Sequence, residues 1–527
     1  MEIPFMRDRC AVRLYSFQSL IWATCFSVTI LSVRSAQADV ALAWIFTDHA
    51  VLQRDIEIPV WGTAADGEEV TVQLGDQTAV TVAAEGKWSI KLRPLPAGGP
   101  HTLKVTGKNS ITVSDLLIGE VWICSGQSNM QWKLKDTLEA DPVIGAAADE
   151  QLRLLTVPRV AKDEPQTSAD GKWEVSSPTT VPEFSAVGYY FGKQLRDVLK
   201  VPVGLINTSF GGTPSEAWTS RQKLESIPEL KSGILDVHKQ AVEAYPMALA
   251  QYKEELGKWQ AEADKAKAEG KPAPQALRGP VDPATNPQRP TGLFNAMINP
   301  IIPYAIRGAI WYQGESNAER AQQYGILFPA MIQDWRERWG QGDFPFLFVQ
   351  LAPYTRIVKE PGDSHWAELR EAQRLTTTKL PQTAMAVITD VGEELDIHPR
   401  RKREVGERLA IAARKLSYGE NIVHSGPTFK EIKIEGNKAI LSFDNIGTGL
   451  VAKDGPLTGF TIAGEDAKFH IANAEIVGDT VVVSCPEVEK PVAVRFGWAN
   501  FPVVNFWNKE GLPASPFRTD SFPLTTK

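Results

Sequence analysis

Between residues 40 and 116 apolar and polar positions alternate in short runs, IEIPVWGTA, EEVTVQLG, KWSIKLRPL and HTLKVTG, separated by Asp-Gly, Glu-Gly and Gly-Gly-Pro. Alternation of this kind predicts half-buried strands, and short strands at this spacing predict a small β-sandwich. From residue 117 the texture changes. VWICSG, VPVGLINTS, RGAIWYQG, PFLFVQLAP and TAMAVITD are apolar almost throughout, and YYFGKQLRDVLK, QYGILFPAMIQDWRERWG and HWAELREAQRLTTTK lie between them with helical spacing. Strands that are apolar on both faces and alternate with amphipathic helices predict an α/β fold with a parallel sheet covered on both sides.

Residues 236–290 interrupt that alternation. A run rich in Ala, Lys and Glu, DVHKQAVEAYPMALAQYKEELGKWQAEADKAKAEGK, predicts an inserted helix, and the proline-rich PAPQALRGPVDPATNPQRP predicts a loop returning to the sheet. After Gly419 the runs KEIKIEG, KAILSF, AEIVGDTVVVSC and PVAVRFGW predict a second β module. The expected organisation is a leader (1–38), an N-terminal β module (39–116), a central α/β domain in two parts (117–235 and 291–420) split by the helical insertion (236–290), and a C-terminal β module (421–527).

Composition narrows the setting. A chain of 527 residues with 43% hydrophobic and 23% charged residues is that of a globular protein of several domains. A net charge of −7 argues against nucleic acid or an anionic membrane as the partner. Arg7, Arg9 and Arg13 precede an apolar run over residues 19–33, and Ala36-Gln37-Ala38 places small residues where a signal peptidase reads. A cleaved export signal is expected, with the mature chain starting near Asp39 and a secreted or periplasmic location. The run is shorter than the roughly 20 residues that span a bilayer, so no membrane contact is expected beyond export. Cleavage leaves only Cys124 and Cys485; a bridge between them is the alternative to a free core thiol at Cys124, which its apolar strand favours. With no CxxC pair and no HExxH motif, neither a metal ion nor another cofactor is expected. Nothing in the sequence sets the oligomeric state.

In an open parallel sheet, loops and helix starts converge beyond the carboxyl ends of the strands, so chemistry is sought there. The first apolar strand delivers Gly126-Gln127-Ser128-Asn129, and the second delivers Asn207-Thr208-Ser209-Phe210-Gly211-Gly212. The third delivers Gln313-Gly314-Glu315-Ser316-Asn317, and the last reaches Asp390 and then Asp396-Ile397-His398-Pro399. Together these supply the parts of acyl transfer through a serine nucleophile. A hydroxyl needs a base at neutral pH, and an imidazole with an ordinary pKa near 6.5 is suited to that task. Ser128 is therefore the candidate nucleophile and His398 the candidate base, with His365 in reserve. Pro399 suits the first position of a helix beginning there. Asp396 is the favoured acid to orient His398, and Asp390 is the alternative. The Ser128 N–H, the backbone at Gly211 or Gly212, and the side-chain amide of Gln313 or Asn317 are the candidate oxyanion donors.

The segments SGQSNM, NTSFGGTPSEAW, WYQGESN and DIHPRRKREVGERLA, in this order, resemble the sialate O-acetylesterase family of SGNH-type serine esterases. The likeness extends from FTDHAVLQRD near the start of the mature chain to GWANFPVVNFWNKEGLPASPFRTD at its end. It implies a three-layer α/β/α sandwich, Ser128 as nucleophile, His398 as base, Gly212 and Gln313 as oxyanion partners, and an O-acetylated sugar or glycan as substrate. The SGNH group places its acid three residues before the histidine, where this chain has Leu395, so the resemblance leaves the acid open. Met130 breaks the GxSxG elbow, which separates the chain from ordinary α/β-hydrolases. Two other readings compete: a glycoside hydrolase using paired carboxylates such as Glu216 and Glu315, and a non-catalytic glycan-binding protein.

Overall fold

The computed structural model describes residues 39–526; the leader expected over 1–38 lies outside them. The spine of the fold is strand β1 (Ser110–Gly126). Its first half alternates between exposed and buried residues and pairs antiparallel with Gly98–Thr106. From Leu116 onward every residue is buried, because the strand enters the middle of a parallel sheet whose two faces are both covered.

That sheet continues with β2 (Asp149–Thr156), β3 (Glu174–Ser176), β4 (Val203–Asn207), β5 (Gly308–Tyr312), β6 (Phe346–Val349) and β7 (Thr383–Ala386), in the order β3-β2-β4-β1-β5-β6-β7. Only the β3–β2 pair on this path is antiparallel. From β1 the chain travels to one side through β2 to β4, then crosses to β5 on the other side. The crevice beyond β1 is thus a topological switch point, where such sheets open.

Successive side chains on these strands serve opposite faces. Trp122, Cys124, Ile310, Tyr312, Leu347 and Val349 share a buried cluster with residues of α2 (Ala186–Leu199) and α6 (Arg403–Tyr418), the helices numbered here in chain order. Val121, Ile123, Trp311, Phe346 and Phe348 share another with α4 (Ala321–Trp339) and α5 (His365–Lys379). Before them come α1 (Ser128–Gln131), at the end of β1, and α3 (Val237–Ala268), a 32-residue helix whose only buried residue is Ala263.

Strand β1 passes residue 116 without a break, so four of the seven strands that precede it join the central strands in one sheet of eleven, while Ala41–Leu42, Ile58–Thr63 and Lys87–Leu92 form a three-stranded sheet of their own. Beyond residue 421 two four-stranded antiparallel sheets and a strand pair enclose a separate apolar cluster that includes Phe443, Phe460, Phe496 and Phe517. Arg370 of α5 ties this region to the centre: its fully buried guanidinium donates to the carbonyls of Leu351 and Ala352 and to those of Ala499 and Asn500. Cys124 and Cys485 are both buried and unpaired. Among the described residues no helix is long and apolar enough to cross a membrane.

Candidate active site

The site begins with the way β1 ends. Gly126 has φ +133°, and a Cβ there would lie 2.1 Å from the Tyr312 carbonyl oxygen on β5, so only glycine lets the two strands close together at this point. The Gln127 N–H then donates to that carbonyl at 2.9 Å. The Gln127 side-chain oxygen accepts from the N–H groups of Gly314 and Ser316, both at 3.3 Å, which fastens the loop after β5 to the start of α1. Ser128 opens that helix, and its Oγ lies 2.9 Å from Nε2 of His398.

His398 sits in the loop after β7. Asp396 Oδ1 accepts the His398 backbone N–H at 2.8 Å and lies 3.6 Å from the ring Nδ1. The alternative acid is engaged elsewhere: both carboxylate oxygens of Asp390 take Arg408, at 2.6 and 2.8 Å. His365 is the first residue of α5, whereas the histidine in contact with Ser128 is His398. Trp132 stacks on the His398 ring, centroids 5.2 Å apart and planes 20° apart. Burial and then the Lys402 charge pull the His398 pKa below the usual imidazole value, against the opposing pull of Asp396.

Pro399 does not open the following helix, which begins only at Arg403. The intervening residues are used to turn Lys402 inward, where it is 1% exposed and donates to the side-chain oxygen of Asn129. The Lys402 ammonium lies 5.7 Å from the Trp132 ring centroid and 5.4 Å from that of Tyr312. Asn129 in turn donates to Glu315 Oε1 at 2.6 Å and to the carbonyl of Ile397 at 3.0 Å. Burial pushes Lys402 down to about 7 and raises the Glu315 carboxyl. Asn129, Lys402 and the positioning role of Glu315 escaped the sequence reading. Their signals were present: Asn129 adjoins the nucleophile, and Lys402 follows His398 by four residues.

The candidate oxyanion donors differ in how far their polar groups are already engaged. The loop after β4 runs along the end of β1, with Phe210 N–H donating to the Gly126 carbonyl at 3.0 Å. This brings Gly211 so close that a Cβ on it would lie 3.3 Å from Ser128 Cβ, yet its N–H is already given to Gln131 Oε1 at 2.6 Å. Gln313 is fully buried, and its amide donates to Asn317 Oδ1 at 2.7 Å and to the Thr213 carbonyl at 3.3 Å. Asn317 is 1% exposed; it donates to Glu216 at 3.0 Å and accepts from the Ser215 N–H at 3.0 Å. Gln313 and Asn317 are inner struts that lock the two loops together, because the first side chain beyond a buried strand turned inward here. Gly212, φ +73°, is exposed, and its N–H has no partner among the described residues. The Ser128 N–H likewise has no partner among the described residues.

Residues 286–415, which include Glu315, Asp396, His398 and Lys402, match the family model described as carbohydrate esterase, sialic acid-specific acetylesterase. The sialate O-acetylesterase of Mus musculus is 32% identical over 466 residues, covering 79% of this chain and 82% of the mouse protein. The one from Homo sapiens is 31% identical over 451 residues, covering 78% and 77%. The chain belongs to the sialate O-acetylesterase family. A crystal structure of a carbohydrate acetylesterase from Xanthomonas citri, 38% identical, superposes with a TM-score of 0.78 over 92% of this chain and 100% of that one. The family model begins after Ser128, Asn129 and Gly211, so these three residues lie outside the segment it matches.

Proposed function

We propose that this family member is a secreted carbohydrate O-acetylesterase, built on an SGNH-type α/β/α sandwich, that cleaves acetyl esters on sugars through an acetyl-serine intermediate. The observation that carries the reading is the 2.9 Å contact between Ser128 Oγ and His398 Nε2 at the switch point of the sheet. Ser128 Oγ attacks the ester carbonyl carbon while His398 Nε2 takes its proton. The negative charge on the former carbonyl oxygen is met by the N–H groups of Ser128 and Gly212. As the C–O bond to the sugar breaks, His398 returns the proton to the departing sugar oxygen, leaving acetyl-Ser128. A water molecule, deprotonated by the same imidazole, then attacks the acetyl carbon, releasing acetate and restoring the hydroxyl. Asp396 steadies Nδ1 and favours the imidazolium that forms in each half-reaction.

The substrate is sialic acid or another O-acetylated glycan. The paired-carboxylate alternative has little to work with, since both oxygens of Glu216 are occupied by Arg320 and Asn317. Ser128→Ala is expected to lower acetate release from an aryl acetate by at least about a thousandfold with an unchanged circular dichroism spectrum. Retention of most of the activity would overturn the mechanism. Export is tested separately: the amino terminus of the protein recovered outside the cytoplasm should begin near Asp39.

A further inference from the structure

Helix α1 has four residues and no side-chain cap, so it takes its orientation from its neighbours. On one side Ser185 Oγ donates to the Met130 carbonyl at 2.6 Å, and the Ala186 N–H donates to that of Trp132 at 2.8 Å. On the other side stands Asn129. His398, in turn, belongs to a loop without regular structure between β7 and α6, in which Leu395 is 82% exposed. Asp396 gives the imidazole little purchase, being half exposed and 3.6 Å from Nδ1. A short helix and an irregular loop therefore have to be brought into register by some other contact.

Asn129 supplies that contact. Its Nδ2 donates at 3.0 Å to the carbonyl of Ile397, so one hydrogen bond joins the residue after the nucleophile to the residue before the base. The bond forms only while Nδ2, and not Oδ1, faces the histidine loop. Two neighbours enforce that choice: the Lys402 ammonium, which can only donate, holds Oδ1, and Glu315 Oε1 takes the second Nδ2 hydrogen at 2.6 Å. A flipped amide would set Oδ1 against two acceptors and Nδ2 against the ammonium. Asn129 and Lys402 are each 1% exposed, so water cannot make good those lost bonds. Resting on the serine-esterase reading, we infer that Asn129 is the positioning residue that sets His398 against Ser128, that Lys402 and Glu315 act through it by fixing its amide, and that this clamp, more than Asp396, aligns the base.

The test uses the full chain and 4-nitrophenyl acetate, at a pH above the midpoint of every variant, with kcat expressed per serine titrated by a fluorophosphonate. Asn129→Ala is expected to lower kcat by at least about a hundredfold, with KM within about threefold of wild type. Lys402→Met is expected to lower it by at least about tenfold. Because Lys402 acts through Asn129, the double variant should stay within about threefold of Asn129→Ala alone, whereas two independent structural injuries would multiply. Asn129→Asp keeps the shape and the acceptor for Lys402 but brings no amide hydrogen to Ile397. It should lose kcat as the alanine variant does, and it decides the matter if that variant does not fold. The inference is overturned if substitution of Asn129 leaves kcat within about threefold, if the loss falls in KM instead, or if the double variant shows the product of the single losses. Ser128→Ala separates the two levels: if it still hydrolyses 4-nitrophenyl acetate, the serine mechanism fails, whereas an inactive Ser128→Ala beside fully active Asn129 variants removes the clamp alone.

Discussion

His398 must be uncharged to accept the Ser128 proton, and its neighbours pull its ionisation in opposite directions. Burial and Lys402 favour the neutral ring; Asp396 favours the cation. The protonated form is inactive, so kcat/KM should rise with pH and level off, with a midpoint below the ordinary value of about 6.5. Removing the cation with Lys402→Met should move that midpoint up; removing the anion with Asp396→Asn should move it down. Asp396 is half exposed and 3.6 Å from the ring, so its loss should cost about tenfold in the plateau, less than the loss of a buried triad acid. A pH series on an aryl acetate reads both shifts. The meeting of Ser128 and His398 was legible because Ser128 directly follows an apolar strand and His398 lies in the loop that follows another, and such loops gather on the crevice side of the sheet. Gln313, Asn317 and Gly211 stand at equally promising places, but sequence does not tell which way a loop side chain turns. All three spend their donors on neighbours.

At the scale of single elements, the handover from β1 to α1 depends on Gly126. Gly126→Ala would meet the Tyr312 carbonyl at 2.1 Å and force a methyl group onto φ +133°, so the two strands must part or the residue must refold. A loss of about 3 kcal/mol in urea denaturation is expected, together with loss of esterase activity, because the same shift carries Ser128 away from His398. The apolar runs predicted the strands well, since burial on both faces leaves few polar positions to mislead. The start of α6 was misjudged because Pro399 suits a first helical turn; what overrode it was the demand to bury Lys402 beside Asn129, which holds the backbone out of the helix until Arg403. The long helix α3 was legible from its Ala, Lys and Glu content.

For the molecule as a whole, Arg370 is one of several ties between the centre and the carboxyl-terminal strands, beside Glu368, which accepts from Thr525 and Thr526, and Ser364, which donates to Asn500. One guanidinium satisfies four carbonyls from two parts of the chain. Arg370→Met would leave them unsatisfied inside the protein, at a cost of about 3 kcal/mol, and calorimetry should show the single unfolding transition broaden or split. No sequence pattern marks this arginine, which lies on a helix whose charges otherwise suggest a solvent-facing role. The continuity of β1 carries a different lesson, for protein engineers. Anyone wishing to graft the hydrolytic centre onto another scaffold, or to exchange its amino-terminal part for that of a cousin, would find no seam at residue 116: a cut there severs a single extended segment mid-length and strips both halves of the partner that completes them. An exchange that keeps the strand whole has to carry the two parts together.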